Sequence, residues 1–269
     1  MISDTQKSKL VSRLKAYRRR YLLQKKYLEL DESGTRIMVN NLLIEVLGYR
    51  ELEEVKTEYA IKGTYADYVV QVGRKKHFIV EVKAIQIDLS EKHLRQAVNY
   101  AANEGIDWVL LTNGRSYELY RVIFAKPIAY RKVCSFDLVD VDQMKQSVDC
   151  FAYLTRKAAL TDHLEGYWKR FQALAPTNLA RHLYSMDVVR FLRKKLKNEA
   201  KLLFPEEDIY NSLHEVIVNK IDIQKPKFAA VKRKKIVNKS FSPQASPKVK
   251  NATPVPEQTT TPFKNFFQN

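Results

Sequence analysis

Apolar positions recur at near-helical spacing from about Gln6 to Leu30, at Leu10, Leu14, Tyr17, Tyr21 and Leu28, and predict an amphipathic helix. The run Arg18, Arg19, Arg20 interrupts that stripe and reads equally as a solvated helix face or as phosphate contacts. A second helix is expected from about Glu32 to Leu47, with Ile37, Leu42, Ile44, Val46 and Leu47 as apolar contacts and Gly48 as its stop. From Val55 to Ala84 the period changes to that of strands. Tyr65 to Val72 and Lys76 to Ala84 are rich in Val, Ile, Tyr and Phe, and Gly73 marks the turn between them.

Ser90 and Glu91 open a further helix that runs through Ala101. Asp107 to Thr112 reads as a buried strand, and Asn113-Gly114 as a type I′ hairpin turn returning the chain through Ser116 to Ile123. The order helix, hairpin, helix, hairpin indicates an α/β or α+β sandwich and excludes an all-β barrel. Asp140 to about Ile223 is expected to be helical, broken near Thr161, Pro176 and Pro205. Beyond Gln224, Lys and Arg alternate with Ser, Thr and Pro, a composition that cannot bury enough apolar surface to order itself. The expected organisation is therefore a basic N-terminal helix (1–30), a central core (31–138), a helical region (139–223) and a basic disordered tail (224–269).

Composition narrows the class of function. Hydrophobic residues make up 45% and charged residues 29% of the chain, globular usage without an apolar run long enough to span a membrane. Lys and Arg number 47 against 30 Asp and Glu, a formal charge of +17 that calls for a polyanionic partner, with nucleic acid favoured over a membrane surface. Cys134 and Cys150 are too few for a disulfide framework and wrongly spaced for a zinc site, so both read as reduced thiols of a cytoplasmic protein. Met1 to Leu10 lacks the apolar stretch of a secretory signal.

The chemistry concentrates at Asp67, in Ala66-Asp67-Tyr68, and at Glu81-Val82-Lys83. Side chains two apart on a strand share a face, so Glu81 and Lys83 project together while Phe78, Val80 and Val82 enter the core. If Gly73, Arg74 and Lys75 form a three-residue loop, Val72 pairs with Lys76 and Asp67 falls opposite Glu81. Two carboxylates so placed repel unless a cation lies between them, which predicts Mg2+, with Mn2+ as a substitute. A solvent-facing edge strand with Asp67 as a chance neighbour would give the same bare pattern. On the next helix Gln96 and Tyr100, four apart, share a face.

Gln96-Ala97-Val98-Asn99-Tyr100 resembles the QxxxY motif that follows the ExK strand in RecB-type nucleases and in the nuclease domain of type I restriction enzyme R subunits. Glu32-Ser33-Gly34-Thr35-Arg36, continuing to Leu47-Gly48-Tyr49, resembles the opening helix of that R-subunit domain. The resemblance runs from roughly Glu32 to Arg121. It implies the PD-(D/E)XK, restriction-endonuclease-like fold, an α/β core with a central mixed sheet flanked by helices. It further implies that Asp67, Glu81 and the Val82 carbonyl ligate metal with help from Glu32, that Lys83 orients or activates water, and that Gln96 and Tyr100 position the scissile strand or Lys83. Asp31 and Glu45 are alternatives to Glu32. Ala66 stands where the family name has Pro, and no GxxxxGK[ST] loop occurs, so the ATP-driven translocase of the R subunit is not expected in this chain.

The expected function is metal-dependent hydrolysis of DNA phosphodiesters, in restriction, defence or repair. The alternative is a non-catalytic DNA-binding module acting with a partner. Additional DNA contacts are assigned to Arg18, Arg19 and Arg20 and to the cluster Lys232, Arg233, Lys234 and Lys235. Pro262-Phe263-Lys264-Asn265-Phe266-Phe267 is a candidate docking motif for a protein partner. His77, His93, His163, His182 and His214 show no metal-binding spacing; His93 lies one turn before Gln96.

Overall fold

The computed structural model describes residues 2–61 and 63–219, all within a compact unit Met1–Lys220. The tail expected beyond Gln224, with Lys232, Arg233, Lys234, Lys235 and the aromatic motif, lies outside the described residues. Among those described, six strands form one mixed sheet in the order of the chain: β1 (Val55–Ile61), β2 (Thr64–Val72), β3 (Lys75–Val82), β4 (Trp108–Thr112), β5 (Ser116–Ile123) and β6 (Ala129–Asp137). Neighbours are antiparallel except β3 and β4, which run parallel because α4 (Glu91–Glu104) carries the chain back between them.

Alternation along the strands builds two cores. Val70, Phe78, Val80, Val82 and Leu110 face one side, where they meet Leu14 of α1 (Asp4–Tyr17), Met38 of α2 (Glu32–Asn41) and Phe151 of α5 (Val141–Leu154). Val69, Ile79, Val109 and Leu111 face the other, where α4 supplies Leu94, Ala97, Val98 and Ala101. The sheet is therefore covered on both faces, and the architecture is the expected α/β core, a central mixed sheet flanked by helices.

Two of the expected helices change hydrogen-bond period part-way. The N-terminal one becomes a π-helical turn at Arg18–Leu22, and α2 continues as a π-helical turn at Leu42–Val46. The extra residue per turn keeps Tyr17, Tyr21 and Leu22 buried together despite the intervening arginines, whereas Leu28 ends exposed. After the short α3 (Glu51–Glu54) the strands begin. Beyond β6 and α5 come α6 (Arg156–Ala159), α7 (His163–Ala173), α8 (Pro176–Leu183), α9 (Met186–Ala200) and α10 (Glu206–Asn219).

Three local expectations are corrected. The turn after β4 is not type I′, because Asn113 is absent from the positive-φ residues while Gly114 has φ 79°. Instead Asn113 Oδ1 accepts from the backbone N–H groups of Arg115 and Ser116, so its side chain organises a longer turn. Cys134 and Cys150 are joined in a disulfide rather than standing as separate thiols, because α5 packs back across β6. The loop between β2 and β3 is shorter than expected: Val72 pairs with Lys75, and a bulge at His77 then restores the register, so that Val70 faces Phe78 and Tyr68 faces Val80.

Candidate active site

β2 and β3 part company at the point where the chemistry begins. β2 stays paired with β1 as far as Thr64, but its pairing with β3 stops at Tyr68 and Val80. Asp67 stands just beyond that last pair and takes over the ladder with its side chain, Oδ2 accepting from the Val82 N–H at 2.7 Å. On β3, Glu81 is fully buried and lies 2.8 Å from the Lys83 ammonium, which is itself only 13% exposed. Parity puts Asp67 and Glu81 on the side of the sheet that Val69 and Ile79 share with α4.

Glu32, the first residue of α2, reaches the same lysine at 3.5 Å from Lys83 Nζ. The two alternatives to it are engaged elsewhere. Asp31 caps α2 by accepting from the Gly34 N–H, and Glu45 is exposed and paired with Arg20. Arg36, four residues after Glu32 on the same helix face, has Nη1 3.5 Å from Asp67 Oδ1. Arg36 belongs to none of the motifs, and its one signal in the sequence is its spacing of four from Glu32.

Burial sets the electrostatics. It pushes the Glu81 carboxyl up to about 7, against the hydrogen bond from Lys83, and the Asp67 charge adds to the rise. Asp67 is likewise raised, chiefly by burial, despite the Val82 N–H and Lys83. For Lys83 burial acts downward, but the Glu81 hydrogen bond and the three surrounding carboxylates outweigh it and hold the ammonium charged. One oxygen of the pair is left over: Glu81 Oε2 is buried without a hydrogen-bond partner among the described residues. An orphaned carboxylate oxygen beside a second carboxylate fits a hard divalent cation, since Mg2+ binds through one or two carboxylates and keeps several waters. Among the described residues, no three His, Cys, Asp or Glu side chains form a ready-made metal cage.

Gln96 and Tyr100 lie on α4, which packs on the same side of the sheet as Asp67 and Glu81. Gln96 Nε2 donates to Tyr100 Oη at 2.9 Å, and the Tyr100 ring packs in the core beneath α4. One turn earlier, His93 feels the Lys83 and Glu32 charges and has a buried Nδ1 without a hydrogen-bond partner among the described residues; burial first, then Lys83 and Lys92, disfavour its protonation. His93 is thus electrostatically linked to the site, as its place one turn before Gln96 suggested.

The arginine run divides. Arg18 is half-buried and used internally, donating from Nε and Nη2 to the Val139 carbonyl. Arg19 and Arg20 are exposed, Arg20 paired with Glu45.

Residues 31–129 match the family model of the type I restriction enzyme R protein N terminus. Over that segment the chain resembles the R-protein N-terminal domain. The segment includes Glu32, Asp67, Glu81, Lys83, His93, Gln96 and Tyr100, and is less than half of the chain. Among solved structures, a chain of the cryo-EM structure of the DrdV–DNA complex is similar at 16% identity and a TM-score of 0.36, with 78% of this chain covered. This chain spans 21% of that chain's length. No curated protein matches. Among the described residues no helix is long and apolar enough to cross a membrane.

Proposed function

We propose that this chain is a metal-dependent deoxyribonuclease of restriction or repair type, acting on DNA. The observation that carries the reading is the buried cluster of Asp67, Glu81 and Lys83, in which one Glu81 oxygen has no hydrogen-bond partner among the described residues. The match of residues 31–129 to the R-protein N terminus supports the same class of chemistry, and the charge of +17 suits a phosphate backbone.

Asp67, Glu81 and the Val82 carbonyl would hold Mg2+, which when bound polarises a phosphoryl oxygen and acidifies a coordinated water. The remaining work falls to this chain's own groups. Glu81 holds the Lys83 ammonium in place, so a fixed positive charge faces the phosphate as negative charge grows on its oxygens. Glu32 steadies that ammonium from the α2 side. Asp67 is aimed by the Val82 N–H, which fixes one oxygen and leaves the other toward Arg36.

The deciding experiment incubates purified protein with labelled linear, circular and single-stranded DNA in Mg2+ or in EDTA. Cleavage in Mg2+ alone, lost in Asp67→Ala, is the expected result. Binding without cleavage under every condition would overturn the enzymatic reading and leave a DNA-binding module.

A further inference from the structure

We propose that a cavity of about 390 Å³ enclosed by α1, β6, α5, α7 and the start of α8 binds one nucleotide unit, with its base against aromatic rings and its phosphate against Arg131 and Arg170. This site is separate from the carboxylate cluster. β6 is the sheet edge farthest from β1 and β2, and Tyr153, Tyr167 and Phe171 pack against the larger core, the opposite side of the sheet from α4.

The lining has the two chemistries a nucleotide requires. Tyr153 and Tyr167 are stacked, with centroids 4.4 Å apart and planes at 17°, a preformed aromatic surface. Also on the lining, the Arg131 guanidinium sits 5.3 Å from the centroid of the Phe171 ring. A planar base fits such rings and a guanidinium fits a phosphate, the pairing by which single strands are held without base readout. Arg170 is exposed and has no ion-pair partner among the described residues. The acidic member of the lining, Asp149, is neutralised by Lys7, so the arginines leave the cavity net positive. Its volume lies within the range of small-molecule sites.

A nucleotide is preferred to other phosphorylated aromatics because the chain is read above as a nuclease, but the test does not depend on cleavage. The full-length protein in EDTA is titrated with dAMP, with deoxyribose 5-phosphate and with a six-residue oligothymidylate, following intrinsic fluorescence, since Trp168 stacks on Phe171. The expected result is saturable binding of dAMP or of the oligonucleotide, at least tenfold tighter than the sugar phosphate. Saturation by dAMP identifies a free mononucleotide as ligand; saturation by the oligonucleotide alone identifies a nucleotide within a strand. The double variant Arg131→Ala/Arg170→Ala changes two exposed side chains, and Phe171→Leu removes a ring but keeps an apolar group. Each should weaken binding about tenfold or more with an unchanged circular dichroism spectrum. Failure of both probes to saturate, or binding indifferent to the arginine pair, would overturn the proposal. Loss of cleavage activity alone would bear only on the nuclease reading.

Discussion

At the scale of single residues, the carboxyl of Glu81 makes the site costly to the fold. Its usual value of 4.5 is raised to about 7 by burial, so folding favours the protonated form. The stabilising contribution is full below about pH 4.5 and is lost as pH rises through 7, on the order of 3 kcal/mol if Glu81 titrates alone. In EDTA, urea unfolding should therefore show stability falling across that window, and Glu81→Gln should flatten the fall; an unchanged slope would contradict this account. Mg2+ should recover stability above pH 7 in the wild type and not in Glu81→Gln. Lys83 gives the complementary test. Lys83→Ala should lower cleavage by about 10² or more, as expected for loss of a group facing developing charge, with little change in far-UV circular dichroism. Cleavage by Lys83→Ala at the wild-type rate would remove this lysine from the mechanism.

At the scale of elements, one ion pair ties the segment before the sheet to the helices after it. Glu54 at the end of α3 is almost wholly buried and accepts from Arg156 Nε with both oxygens, at 2.9 and 2.7 Å, and from the Arg50 N–H. Burial raises its pKa, but these hydrogen bonds outweigh burial and the net shift is downward. A depressed carboxyl contributes stability above its ordinary value of 4.5 and loses it as pH falls through the lower folded value. Arg156→Ala should cost about 3 kcal/mol at neutral pH, since it leaves a buried carboxylate short of its charged partner, and the deficit should shrink below pH 4 in chemical denaturation. How much of the elements could be read in advance follows from their patterning. α4 and β3 are legible because apolar positions alternate or recur cleanly and Ser90 marks the start of the helix, which runs on past Ala101 to its cap at Gly105. β6 was not assigned, because Ala129-Tyr130-Arg131-Lys132 is exposed or half-buried edge and offers no apolar alternation. The placement of Asp67 level with Glu81 was anticipated from a three-residue loop. It arises instead from a tighter turn whose one-residue offset is cancelled by the bulge at His77, a compensation no local propensity encodes. Gln96 and Tyr100 were legible as one helix face, but which way that face leans depends on the packing of α4 over Val69 and Ile79.

At the scale of the whole molecule, charge is distributed unevenly along the chain. Beyond residue 223 the sequence holds ten Lys and Arg against the single Glu257, roughly half of the formal +17. Every residue of the carboxylate cluster lies between Glu32 and His93, so the sequence separates the groups that would cut from much of the charge that would hold a polyanion. Each phosphate contact made by Lys or Arg releases counterions and steepens the dependence of affinity on salt by about 0.9 in the log–log slope. Truncation after Gln224 should therefore weaken binding to duplex DNA and flatten that slope, by up to roughly 4 if Lys232, Arg233, Lys234 and Lys235 each meet a phosphate. Charge reversal of those four to Glu should weaken binding further at low salt and converge with the truncated protein at high salt, where screening hides both changes. Cleavage of short DNA at low salt should survive truncation, because Asp67, Glu81 and Lys83 are held by β2 and β3 and make their contacts within the described residues. If truncation abolishes that cleavage while circular dichroism still shows a folded core, the basic segment takes part in the chemistry itself and the division between cutting and holding fails.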